Sequence, residues 1–404
     1  MWPRNTFTDR LNLKWPILQA PMGWLSTPAL AAAVSNAGGL GGLGMWGFSA
    51  EEAERRIAGF QQLSGGSLNV NYPLWPKPEI TPELSEPMRA RLQAHFDAND
   101  LGAVPQPRGA ASEVSREHLS MLTRAKPQMV SFHFGLPPRE VVNAIKDAGI
   151  FIICSATTVA EARILEQEGV DAIIAQGTEA GGHRGTFTGV DISMQPGLFA
   201  LLPQVVDAVR VPVIAAGGVA DGRTVAAAFV LGASAVQLGT AFLRCEEANV
   251  LDAHRAALRE PTDACTVVTD VITGRPARYV KNKLVEDLLA SELSPVAFPA
   301  QLSLTAPLGN TGDRELTALF AGQSAALARD TTAGTLVESL AEATDRTSLV
   351  TQTAQNAARL RDRLRAGTAP PDRRRGQAAP SATGRIPAAG RCAASADRPR
   401  CPVR

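Results

Sequence analysis

The chain has 404 residues, 45% of them hydrophobic, and a net charge of +1. It is long enough to bury a large core and too near neutrality for a nucleic-acid or membrane-surface binder. Its five cysteines are an odd number with no C-x-x-C pair, which argues against a disulfide framework or zinc site; with no apolar leader or bilayer-length apolar run, the chain reads as soluble and cytoplasmic.

Apolar runs and helical patterns alternate along the chain. The runs are Pro16–Met22, Gly39–Gly44, Leu68–Trp75, Met129–Gly135, Ile150–Ala156, Ala172–Gly177, Val211–Gly218 and Ala235–Phe242. They are continuous rather than alternating, as expected of strands covered on both faces. Between them lie the helical stretches Pro28–Asn36 (N-capped by Thr27), Ala50–Gln62, Pro138–Ala148, Thr158–Glu168, Gly197–Ala208 and Gly222–Leu231. Eight strands alternating with helices predict a (β/α)8 TIM barrel; a doubly wound sheet is the alternative.

More than fifty residues rich in Pro, Glu and Arg separate Trp75 from Met129, too many for a plain connection, so they predict a lid. Beyond Phe242 the pattern is helical, most clearly over Leu316–Ala328 and Ala333–Ala343. The expected division is a barrel of residues 1–75 and 121–243, a mainly helical lid or substrate domain of 76–120 and 244–365, and a disordered tail of 366–404. That tail carries eight Arg against two Asp, a net +6 that leaves −5 for the rest of the chain. Its Arg373-Arg374-Arg375 cluster reads as a solvated charge run.

Gly39-Leu-Gly-Gly-Leu-Gly44 matches G-x-G-x-x-G literally. A dinucleotide fingerprint requires a strand before it, a helix opening within it and an acid about twenty residues on. Here a helical stretch precedes the glycines, which themselves form the strand, and Gln61 and Gln62 stand where the acid belongs.

The most informative run is Gln176-Gly-Thr-Glu-Ala-Gly-Gly-His-Arg-Gly185. Its glycines let backbone approach a flat or phosphorylated ligand, and His183 at their rim can exchange protons near neutral pH. Two further strand ends carry glycine turns, Ala215-Ala-Gly-Gly218 and Gln237-Leu-Gly-Thr240. These follow the seventh and eighth strands, where barrels often hold phosphate on converging amides. Ala20-Pro-Met22 ends the first strand, and the amides of Asn71 and Gln176 can pair with a heterocycle. A flavin with a single phosphate fits this set, whereas a pyridoxal phosphate site lacks its lysine. The set involves no metal.

On these motifs, with Ser35-Asn-Ala-Gly-Gly-Leu-Gly41, Ser131-Phe-His-Phe-Gly135, Gly274-Arg-Pro-Ala-Arg278 and Ala321-Gly-Gln323, the chain resembles the class I nitronate monooxygenases, formerly called 2-nitropropane dioxygenases, over roughly residues 10–360. The resemblance implies an FMN-bearing barrel that oxidises alkyl nitronates, notably propionate 3-nitronate, with O2 to a carbonyl compound and nitrite. It implies FMN contacts at Met22, Asn71, Gln176, Gly181, Gly217, Gly218, Gln237, Gly239 and Thr240. It makes His183 the catalytic base and places His133 near the substrate nitro group. Part of the pattern recurs in FMN-dependent NAD(P)H reductases of the quinone and enoyl-acyl-carrier types, the alternative activity on the same barrel; a flavin-binding module without turnover is a third reading. The chain departs from the family at Phe298-Pro-Ala-Gln301, where tyrosines often line the substrate pocket.

Overall fold

A computed structural model describes Trp2 and residues 5–347. The expected tail, and the last residues of the expected lid domain, lie outside the described residues. Eleven strands form among the described residues: β1 Ile17–Gln19, β2 Gly41–Gly44, β3 Leu68–Pro73, β4 Met129–His133, β5 Phe151–Ala156, β6 Ala172–Gln176, β7 Gly182–His183, β8 Val213–Ala216, β9 Ala235–Leu238, β10 Thr266–Thr269 and β11 Ala277–Val280.

Eight of them pair in parallel in the order β1-β9-β8-β6-β5-β4-β3-β2. Leu18 bridges to Leu40 beside β2, with Gln19 N 3.0 Å from Leu40 O and Leu40 N 2.9 Å from Ile17 O, and so closes the sheet into the expected barrel. Every residue of β5 and β6 is buried, because one face fills the barrel and the other meets the surrounding helices. Phe7 plugs the N-terminal end of the barrel, edge-on to Phe151 at the start of β5. Gly41 shows why β2 is glycine-rich: a Cβ there would lie 2.1 Å from the Ala31 carbonyl oxygen of helix Pro28–Asn36.

The long excursion after β3 forms two helices with different allegiances. Helix Pro82–Asp97 buries Met88, Leu92 and Phe96 against Tyr279, Leu288 and Leu304, in a hydrophobic cluster separate from the barrel's. Helix Arg116–Ala125 instead adds Met121 and Leu122 to the barrel core.

The C-terminal half of the expected lid is less helical than its composition predicts. Strands β10 and β11 form an antiparallel hairpin, and β11 pairs with β7 so that Ala277 faces His183 and Arg278 faces Gly182. Leu316–Ala328 is not a helix. Its backbone runs beside β11, with Val280 N 2.7 Å from Leu319 O, and only a 3-10 turn forms at Ala325–Leu327. Tertiary pairing overrides local propensity here. A helix does begin at Ala333 and continues to the end of the described residues. Among the described residues no helix is long and apolar enough to cross a membrane.

Candidate active site

A cavity of about 580 Å³ opens at the C-terminal ends of the barrel strands. All eleven residues singled out in the sequence line it: Met22, Asn71, His133, Gln176, Gly181, His183, Gly217, Gly218, Gln237, Gly239 and Thr240. Strand ends contributed by segments more than 200 residues apart in sequence converge there because a parallel barrel brings every C-terminal strand end to one face.

One end of the cavity is built of backbone. Gly217 and Gly218 follow β8 at φ +101° and +72°, in the left-handed region that favours glycine. The amides of Gly217, Gly218 and Gly239 donate to no acceptor among the described residues. A Cβ at Gly181 would meet Gly322 N at 2.5 Å, so that glycine is required by close packing against the C-terminal segment. Glu179 also lines this end, yet its carboxylate is engaged: both oxygens lie 2.8 Å from Leu198 N at the start of helix Leu198–Ala208. The negative charge therefore sits on a helix N-terminus, where it is stabilised.

Deeper in, Gln237 presents a buried Oε1 with no hydrogen-bond partner among the described residues. A buried acceptor left unpaired is costly, so this oxygen is matched to a donor on something bound. Asn71 donates from Nδ2 to Ser131 O and Oγ, at 3.1 and 3.0 Å. Gln176 behaves differently from the expected heterocycle partner. Its Nε2 donates to His183 O at 3.1 Å and its Oε1 accepts from Gly185 N at 2.8 Å, so the amide holds its own loop.

His183 is fixed from both sides. β7–β11 pairing anchors its backbone, and its Nε2 lies 3.0 Å from Thr273 Oγ1. Thr273 Oγ1 donates to the Arg275 carbonyl at 3.1 Å, because a carbonyl can only accept. Its one proton thus spent, the hydroxyl accepts from His183 Nε2–H and from Tyr279 OH at 3.2 Å. Nδ1 of His183 is left as the basic nitrogen, without a partner among the described residues. Burial pushes this imidazole down to about 3, helped by His133 and Arg275.

His133 has no free nitrogen. Nε2 donates to His183 O at 3.2 Å, and Nδ1 therefore accepts from Ser155 Oγ at 3.0 Å. Burial pushes it down to about 4. It lines the cavity as expected, but its hydrogen-bonding atoms serve to hold the His183 backbone.

The loop beyond β7 is held by two buried charges. Arg184 is fully buried and donates to Gln176 O, Gly177 O and Gln195 Oε1, at 2.8, 2.6 and 3.0 Å. Glu161 Oε1 accepts from Thr186 Oγ1, Phe187 N and Thr188 N, while Oε2 takes Thr157 N. Burial alone would raise this carboxyl, but the hydrogen bonds outweigh it and hold the group below the usual carboxylate range.

Thr273, Glu161 and Ser155 went unread in the sequence, and of the aromatic wall around His183 only Phe298 was singled out, as a departure in the substrate pocket. Glu161 and Ser155 lie outside the quoted motifs, Thr273 only abuts one, and the pairing of β11 with β7 is what brings Thr273 to the histidine.

Comparison with known proteins gives a consistent answer. The family model described as nitronate monooxygenase matches residues 4–343. A probable nitronate monooxygenase of Staphylococcus aureus strain MSSA476 is 37% identical over 345 residues, covering 84% of this chain and 97% of that protein. Nitroalkane oxidase from Streptomyces ansochromogenes is 39% identical with a TM-score of 0.79, over 85% of this chain and all of that structure. FabK from Thermotoga maritima is 28% identical with a TM-score of 0.69, over 87% of this chain and 99% of that one.

Proposed function

The chain belongs to the nitronate monooxygenase family, and from that premise we propose that it binds FMN in the barrel mouth and oxidises alkyl nitronates with O2 to a carbonyl compound and nitrite. The observation that carries the reading is the placement in one cavity of a glycine cradle, an unpartnered Gln237 Oε1 and a histidine whose Nδ1 is free.

The residues present fit the cofactor. Gly217, Gly218 and Gly239 offer amides to a phosphate, Thr240 adds a hydroxyl, and Gln237 Oε1 can accept from a ring N–H. Met22 and the backbone around Ala20 would flank the ring system. FMN bound there supplies the electron acceptor for nitronate oxidation, which no side chain provides.

The protein's own work is on the proton. For a neutral nitroalkane, His183 Nδ1 takes the proton from the carbon bearing the nitro group. The free imidazole is a weak base in this apolar site, so transfer depends on the nitronate staying beside it, where anion and imidazolium form an ion pair. Thr273 holds the ring in the tautomer that leaves Nδ1 unprotonated, and His133 and Gln176 fix the backbone that carries it. A preformed nitronate needs no such transfer.

The test is anaerobic titration of the yellow protein with ethylnitronate and, separately, with NADH. Bleaching by the nitronate, followed by nitrite release on admitting O2, is expected. Bleaching by NADH alone would favour the reductase reading, which the likeness to FabK keeps in play.

A further inference from the structure

We propose that the chamber beside His183 takes nitro compounds with a bulky, apolar, uncharged substituent and discriminates against those bearing a carboxylate; the substrate class rests on the nitronate-oxidising reading above.

The chamber wall is aromatic. Phe298 lies 5.1 Å from the His183 ring and Phe320 5.5 Å, centroid to centroid. Phe298 packs on Trp75 at 4.8 Å, with Phe134 at 6.1 Å and Trp46 at 6.4 Å. Trp24 extends the row, 5.3 Å from Trp46. All six rings line the cavity. Such rings offer large apolar area in fixed orientations and favour an aromatic or branched aliphatic group laid against them.

Among the described residues no lysine or arginine lines the cavity. Arg275 comes near, but its guanidinium stacks 3.8 Å over the Phe134 ring and bonds to Thr186 O, and it is not part of the lining. The nearby hydroxyls are turned to the chain itself: Thr305 Oγ1 donates to Ile272 O at 2.8 Å, and Thr273 to Arg275 O. Glu179, the single acid among the described residues of the lining, adds negative charge. Burial keeps His133 and His183 uncharged near neutral pH. A substrate carboxylate entering here would leave water for a wall whose described residues include no cationic side chain to pair it, which is unfavourable. A nitronate formed in the site is exempt, since the proton it gives to His183 creates the imidazolium that pairs it; a second anion finds no such partner. Propionate 3-nitronate, which carries that second anion, is thereby predicted to be a poor substrate.

The test uses the flavin-loaded protein at about pH 8 and isothermal titration calorimetry with nitrobenzene and 4-nitrobenzoate. Neither has a proton on the carbon bearing the nitro group, so neither is turned over. Nitrobenzene is expected to bind at least about tenfold more tightly, the penalty for an unpaired buried charge being well above that threshold. Phe298→Lys should shrink the ratio severalfold or reverse it, and Leu302→Lys, on the same wall, serves if the first variant does not fold. Equal or tighter binding of 4-nitrobenzoate to the wild type, or no binding of either compound, overturns the proposal. So does an unchanged ratio in a folded lysine variant. In parallel, nitrite release is measured from the nitronates of phenylnitromethane and of 3-nitropropionate. If calorimetry shows the discrimination and neither nitronate yields nitrite, the oxidation reading fails and the apolar specificity of the chamber stands.

Discussion

Thr273 Oγ1 lies 3.0 Å from His183 Nε2 and donates its only proton to the Arg275 carbonyl, so it can serve the histidine solely as an acceptor. A residue 90 positions away in sequence thus selects the imidazole tautomer. Thr273→Val keeps the shape of this buried side chain and removes the acceptor. We expect kcat/KM for a nitroalkane to fall about 10- to 100-fold, with a smaller fall for the preformed nitronate. Thr273→Ser should restore both. Equal loss on the two substrate forms would mean that Thr273 supports the site only structurally.

The buried histidines make a prediction about acid. Burial holds His183 at about 3 and His133 at about 4, and His254 and His95 are also pushed below their ordinary 6.5. Between those folded values and 6.5 the unfolded chain binds more protons than the folded one, so stability rises with pH in that window and is lost as pH falls through it. Thermal unfolding followed from about pH 7.5 to about pH 5, above most carboxyl titrations, should show a falling Tm. His183→Asn should flatten that slope. A Tm unchanged over the window would show that these imidazoles charge freely in the folded protein.

The glycine cradle is tested by charge at constant shape. Gly218 sits at φ +72°, and a Cβ there would approach Glu179 no closer than 3.5 Å, an ordinary contact. Asn and Asp both tolerate this backbone better than most residues. Gly218→Asp would place a carboxylate against the cofactor phosphate and should abolish flavin retention, whereas Gly218→Asn should retain more. Absorbance near the flavin band per mole of protein gives the result, with circular dichroism checking the fold. Equal retention by the two variants would remove phosphate from this end of the cavity.

The barrel was legible because its strands are short, continuous apolar runs separated by capped helices; Thr27, Ser49 and Asp221 each accept from a backbone amide in the first turn of the helix they precede. The glycine turns were legible for a related reason: left-handed backbone and close approach leave few other residues possible. The β10–β11 hairpin was not. Thr266–Thr269 and Ala277–Val280 are four-residue strands, too short for a period to emerge; β11 is held by pairing to β7 across some ninety residues, and β10 by pairing to β11. Gln176 illustrates a different limit. Its position at a strand end was readable, but its commitment to His183 O and Gly185 N depends on a loop that folds back, and no spacing rule encodes that.

His183 itself is tested by two forms of one substrate. The residue lines the cavity, its Nε2 is committed to Thr273, and its Nδ1 is unclaimed. His183→Asn retains a polar group of similar reach that takes up no proton at neutral pH. With the nitroalkane, the loss in kcat/KM should exceed the loss with the preformed nitronate by about tenfold or more, since general-base help is worth about 10²–10⁴-fold. Equal losses would assign His183 to positioning, and no loss on either form would remove it from the chemistry. His133→Asn provides the contrast. Its ring nitrogens hold the His183 carbonyl and Ser155, so replacing it should loosen the loop and weaken both substrate forms alike, mainly as raised KM. A selective loss with the nitroalkane in His133→Asn would instead make His133 the proton acceptor and overturn the assignment of Nδ1.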